Sequence, residues 1–168
     1  LTTTNLQALS TKQIAALLTD RVAALTTLQT AAWSSVQISG LSTSQVVSLV
    51  TADVAALSSD NVKALNSSQI RVLDSSQIAA LTTSQTAALT TAEMRAMTTT
   101  QMQGMETNDI AALSTTQVAA LTTCGFTALQ TQALSANAKL VYTPIVLDLN
   151  GNGISTLAMV DGVQFDLL

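Results

Sequence analysis

The stretch Leu113-Ser114-Thr115-Thr116-Gln117-Val118-Ala119-Ala120 decides the fold, because the chain repeats it, with variation, from Leu1 to Ala128. A leucine-class residue returns every eight positions, from Leu1, Leu9 and Leu17 through Trp33 and Met97 to Leu113 and Leu121, giving sixteen copies in one frame. A fixed short period of this kind marks a solenoid, in which each unit buries its apolar face only against its neighbours.

Numbered from that leucine, position three is Ser or Thr in all sixteen copies and position five is most often Gln. Position six is mostly Ile, Val or Met, and position eight is small. A Ser or Thr three residues before a Gln, as in Ser10–Gln13, Thr82–Gln85 and Ser114–Gln117, is a capping box that opens a helix. Position two is then the N-cap. An N-cap at position three is the competing register, favoured locally by Leu18 and Val50 at position two. Either register gives a helix that starts and stops within about six residues.

Other architectures fit less well. In one continuous helix eight residues advance about 800°, so the leucine would drift about 80° per repeat and no stable face would form. A β-solenoid could alternate positions one and three, but the Ala-Ala-Leu and Gln content suits helix better. Apolar content of 48% with 10% charge argues against a disordered tract. The expected fold is mainly α: a solenoid of sixteen 8-residue repeats, each a short capped helix, followed by a small β-containing tail. With two octads to a coil, the rod would run roughly 65–80 Å at a helix spacing of about 8–10 Å.

Charge placement gives an expectation for the inner face. Between residues 1 and 128 charged residues fall at positions two, four, five and seven, never at one, three, six or eight. Because an unpaired buried charge is costly, this puts positions one, three, six and eight inside, with the position-three hydroxyl hydrogen-bonded there. Trp33 reads as a bulky core residue beside the small Ser39 and Gly40, and Met94, Met97, Met102 and Met105 as core fill.

Composition narrows the function classes. A net charge of −4 with six Lys plus Arg argues against nucleic acid and against anionic membrane surfaces. The charge-free stretch between Val22 and Ala52 is broken by Gln29, Gln37 and Gln45, so no transmembrane segment is expected. Leu1 opens in repeat register without a secretory leader, as a segment of something longer would. With no His and the single Cys124, no nucleophile–base pair is available, and the chain is expected to be non-enzymatic.

The chain divides into the octad solenoid (1–128), a capping helix and linker (129–142) and a tail (143–168). Leu129 to Lys139 has helical spacing, and Pro144 ends that regime. Val141–Leu147 and Val163–Leu168 are strand-like. Asp148, Asn150 and Asn152 alternate and Gly153 follows, which is how a calcium loop opens: short oxygen-bearing side chains converge and Gly permits the sharp turn. The closing acidic position falls on Met159, with Asp161 two residues later. The candidate metal ligands are therefore Asp148, Asn150, Asn152 and Asp161, with calcium as the cofactor; the competing reading is an Asx-type turn between strands.

The run Thr143-Pro-Ile-Val-Leu-Asp-Leu-Asn-Gly-Asn-Gly-Ile-Ser-Thr-Leu157, followed by Gly162-Val-Gln-Phe-Asp166, resembles a segment of large bacterial RTX-type, haemolysin-like calcium-binding exoproteins. The resemblance implies type I secretion and calcium-dependent folding outside the cell. It covers only 143–166, the family's glycine-rich nonapeptides are absent, and Asn150 and Asn152 stand where Asp is common, lowering the ligand charge. The resulting expectation is a structural stalk, spacer or adhesive scaffold of a secreted or cell-surface bacterial protein. The alternatives are a solenoid that binds a cell-surface protein or glycan, and a membrane-active toxin segment. Exposed rod ends could also associate end to end.

Overall fold

The computed structural model of the protein describes residues 2–121 and 126–136. Each of the first fifteen octads forms one helix of five or six residues, and these helices and a longer closing helix stack in three columns. One column holds α1 (Thr3–Gln7), α4 (Thr27–Ala31), α7 (Thr51–Ala56), α10 (Ser75–Ala79) and α13 (Thr99–Gly104). The second holds α2 (Thr11–Ala15), α5 (Ser35–Ser39), α8 (Ser59–Lys63), α11 (Thr83–Ala88), α14 (Thr107–Ala112) and α16 (Ala128–Ala136). The third holds α3 (Thr19–Ala23), α6 (Thr43–Val47), α9 (Ser67–Val72), α12 (Thr91–Ala96) and α15 (Thr115–Ala120). Among the described residues there is no strand, so the helical solenoid stands and the β-solenoid does not.

Because helix n packs on helix n+3 throughout α1 to α15, a coil contains three octads rather than two. The rod is accordingly shorter, roughly 45–50 Å at a helix spacing of about 8–10 Å. The corner between octads explains how the chain turns so often with so little Gly. Leu57 ends α7 at φ −61, ψ 145 and Ser58 opens α8 at φ −72, ψ 159. Two consecutive extended residues with negative φ make the bend, a conformation open to any L-residue.

The N-cap register is settled at position two. Ser10, Thr26, Ser34, Ser42, Thr82 and Ser114 each accept a hydrogen bond from the position-five backbone amide, and position three is the first helical residue. Leu18, Val50 and Glu106 occupy the same cap position without a side-chain cap bond. A single turn and a half of helix is not stable alone, so these caps and the stacking together hold each unit.

Position six lines the centre of the rod: Ile14, Val22, Ile38, Val62, Ile70 and Met102 are fully buried. Position one forms a second layer, including Leu41, Leu57, Leu73 and Trp33. Burying such a side chain contributes roughly 1.5–3 kcal/mol. Trp33 is the core residue expected, and Met94, Met97, Met102 and Met105 are all buried in the same core. The Trp33 ring nitrogen has no hydrogen-bond partner there.

The inner-face expectation needs correction at two positions. Position three lies mainly on the surface, as at Thr3, Thr43 and Thr83, while position five is inside from Gln37 onward. Position eight is small because it sits over position three of the preceding coil. A Cβ on Gly104 would lie 2.9 Å from the Ser75 carbonyl oxygen, and one on Gly40 2.9 Å from Thr11 Cβ. The position-three side chain thus has a small residue from the next coil against it.

The octad frame also changes at the end. Leu121–Ala128 does not continue it as expected; Phe126 takes the place of the position-one leucine and Thr127 that of the cap. Thr127 and Gln130 form the reciprocal cap of α16. Gln130 reaches carbonyls 28 and 25 residues earlier, where the regular octads reach 31 and 28, so three residues have been dropped from the repeat. The closing helix predicted from Leu129 to Lys139 is α16, described from Ala128 to Ala136; 137–139 lie outside the described residues.

Candidate functional site

The most constrained polar feature is a ladder of buried amides at position five. Gln85 shows how it works. Its Oε1 accepts a hydrogen bond from the Thr82 backbone N–H at 2.7 Å, completing the cap of its own helix. Its Nε2 donates to the carbonyls of Val54, Ala55 and Leu57 at 3.0, 3.3 and 2.6 Å. Those carbonyls belong to the end of α7 and the corner that follows, and a helix end leaves such groups without intrahelical partners. One side chain therefore caps the start of its own helix and the end of a helix in the coil before.

The same arrangement recurs at Gln37, Gln45, Gln69, Gln77, Gln101 and Gln117. The partners fix the amide orientation: a backbone N–H can bond only the oxygen end, and carbonyls only the nitrogen end. Asn61 is a shorter version. Its Nδ2 donates to Trp33 O at 2.9 Å and its Oδ1 accepts from Ser35 Oγ at 3.3 Å. A buried polar group must be paired, and this ladder pairs both ends of each amide.

Three octads carry an acid at this position: Asp53, Glu93 and Asp109, all buried. Burial pushes each carboxyl above the usual carboxylate range. At Asp109 the Thr83 hydroxyl opposes the rise and the Glu106 charge adds to it. At Glu93 the Thr90 amide and hydroxyl and the Lys63 charge oppose it. Near Asp53 the Thr30 hydroxyl and the Val50 amide act in the same opposing sense, yet neither carboxylate oxygen has a hydrogen-bond partner.

The ladder was missed by the charge pattern, which counted position five as outward. The sequence did hold a signal. Position five has nine Gln and one Glu, whereas a capping box accepts either, so the excess of Gln marks a need for a donor as well as an acceptor.

The candidate calcium ligands Asp148, Asn150, Asn152 and Asp161 lie outside the described residues. Among the described residues no group of three His, Cys, Asp or Glu is placed to hold a metal ion, and no helix is long and apolar enough to cross a membrane. An open depression of about 400 Å³ lies at the first coil, lined by Leu17, Arg21, Ala24, Leu25 and Gln29. Exposed apolar side chains gather in the early octads, at Leu18, Leu28, Val36, Val47 and Val50.

The columns, corners and ladder define a helical solenoid built from octapeptide units. The ALTTAQ repeat family profile matches residues 1–27, 54–91, 86–123 and 102–136, more than half of the chain, and the protein belongs to that family. The letters of the family's name read, in this chain, as position eight followed by positions one to five, seen in Ala80-Leu81-Thr82-Thr83-Ser84-Gln85. No curated protein and no solved structure matches the chain.

Proposed function

We propose that this chain is a non-enzymatic stalk or spacer of a secreted, RTX-like bacterial protein, with calcium held by the tail at Asp148, Asn150, Asn152 and Asp161. The observation that carries the reading is the recurrence of one contact set from coil to coil: leucine and β-branched core, Ser or Thr cap, Gln ladder. The polar groups of the ladder are spent on neighbouring coils, which makes length an additive property of the rod. The tail resemblance supports the secreted setting, in which calcium orders the segment outside the cell.

Two measurements test this. Duplicating residues 65–88 adds one coil, and small-angle scattering should show the rod lengthened by about 8–10 Å with its helical content retained. A duplicate that aggregates or leaves the length unchanged rejects the spacer. For the tail, melting of the whole chain in calcium and in EDTA should differ, with Asp148→Ala removing the difference. Identical melts of the parent chain remove calcium from the proposal.

A binding scaffold is the second reading, favoured by Leu28 and Val36, which are 77% and 67% exposed within the charge-free stretch. Leu28 and Val36 both lie in residues 28–53, which the family profile does not match. Liposome leakage abolished by Leu28→Gln with Val36→Gln would move the weight to a membrane-active surface; a chain that leaves vesicles intact keeps the stalk.

A further inference from the structure

The three acids occupy a position whose chemistry demands a donor. Asp109 and Asn61 make the comparison direct. Asn61 Oδ1 accepts from the hydroxyl of Ser35, 26 residues earlier, and its Nδ2 donates to the carbonyl of Trp33, 28 residues earlier. Asp109 Oδ1 accepts from the hydroxyl of Thr83, again 26 residues earlier, at 2.8 Å. In the register of Asn61, the second Asp109 oxygen corresponds to the NH₂ group, and the carbonyl 28 residues earlier is that of Leu81. Glu93 repeats the longer Gln geometry. One oxygen accepts the Thr90 N–H at 2.6 Å, and the Gln register, which reaches carbonyls 31 and 28 residues earlier, assigns Val62 and Leu65 to the other. Asp53 has both oxygens unpaired, and the same register pairs it with Leu25, 28 residues earlier.

An ionised carboxylate has no donor, and two oxygens with partial negative charge repel in a buried site. A carboxylic acid removes the conflict, since it accepts through one oxygen and donates through the other. We propose that Asp53, Glu93 and Asp109 are neutral carboxylic acids in the folded rod, each donating its proton to the backbone carbonyl 28 residues earlier (Leu25, Leu65 and Leu81), so that the rod tightens as the medium becomes acidic.

The surroundings supply little charge to counter this. Asp53, on α7, packs against α4, which has no titratable side chain, and α10, whose cap is the exposed Asp74. Asp109, on α14, packs against α11 and the described side chains of α16, which carry none, and shares its own helix start with Glu106. Glu93, on α12, feels the Lys63 charge, packs against α9, which carries the exposed Arg71, has Arg95 on its own helix, and meets no charge on α15. Asp53 and Asp109 are thus the stronger proton sites and Glu93 the weaker.

The sign follows from linkage. Each folded-state pKa lies above its unfolded value, so the folded chain binds more protons in the interval between them. The proton-linked stability is fully present below the ordinary carboxylate range, about pH 4, and is lost as pH rises through the folded values.

Thermal unfolding of the whole chain between pH 4.5 and 7.5 tests the proposal, comparing the parent with the Asp53→Asn, Glu93→Gln, Asp109→Asn triple variant. The parent should melt higher at pH 4.5 than at pH 7.5, by on the order of 5 °C. The triple variant should melt above the parent at pH 7.5 and lose most of the pH dependence. A converse variant, Gln85→Glu, should acquire new dependence of the same sign. A triple variant no more stable than the parent at pH 7.5, or one that keeps the parent's slope, overturns the proposal. So does a stabilisation at pH 7.5 by added calcium or sodium that persists in Asp148→Ala and disappears in Asp109→Asn, because the carboxylates would then be ionised and holding a cation.

Discussion

Gln13 and Gln85 occupy the same place in the same octad, and each completes a capping box with the residue three before it. Gln13, in the first coil, is exposed; Gln85, in an interior coil, is 2% exposed and donates to three carbonyls of α7 and its corner. The leucines follow suit: Leu9, Leu17 and Leu25 are half-buried where Leu57, Leu65 and Leu73 are buried. The local rule is identical in the two regions. What differs is whether a coil lies beneath, and that decides whether position five is a surface amide or a core hydrogen-bond bridge.

The largest effect should come from cutting the bridge. Gln85→Ala strips partners from the Thr82 amide and the α7 corner carbonyls and should cost about 2–4 kcal/mol, whereas Gln13→Ala should cost about 0.5–1 kcal/mol for the lost cap. Denaturant unfolding combined with hydrogen exchange at each coil would read both, since a repeat array need not unfold in one step. Equal costs would mean that the ladder contributes nothing beyond capping.

Next is the small position eight. Gly104→Ala brings a Cβ against the Ser75 backbone oxygen and should cost about 1–3 kcal/mol. Gly40→Ala meets the Thr11 side chain in the first coil, which can yield, and should cost less in the same unfolding assay. A larger penalty at Gly40 would show that the first coil is as rigid as the interior.

The smallest effect should be a gain. Val50→Ser and Leu18→Ser each supply a missing N-cap hydroxyl, worth about 0.5–1 kcal/mol. Capping is local, so the two gains should match although one helix belongs to the first coil and the other does not. A gain at Val50 alone, read as a shift in the unfolding midpoint, would place the cap's value in the stacking.

Much of this was readable in the residues. The period gave the solenoid, the Ser-x-x-Gln spacing gave short capped helices while leaving the cap at position two or three, and the apolar sites at one and six gave the core. The charge pattern failed at position five because Asp53, Glu93 and Asp109 are the exceptions to a buried site, and a sign count cannot tell an exception inside from a rule outside. The end of the array failed for a related reason. Phe126 fits the apolar position six of the old frame as well as position one of the new, and only the reach of Gln130 to Met102 and Met105 separates them.

The sequence by itself determined the eight-residue period, the short capped helix of the regular octad and the apolar stripe, because these act over a few residues; the structure placed the cap at position two. The tertiary structure decided that three octads close a coil, that position five turns inward and that three acids are buried with it. Those outcomes depend on the bend accumulated over successive corners and on partners 28 to 31 residues away, as for Gln85 and the carbonyls of Val54 and Leu57.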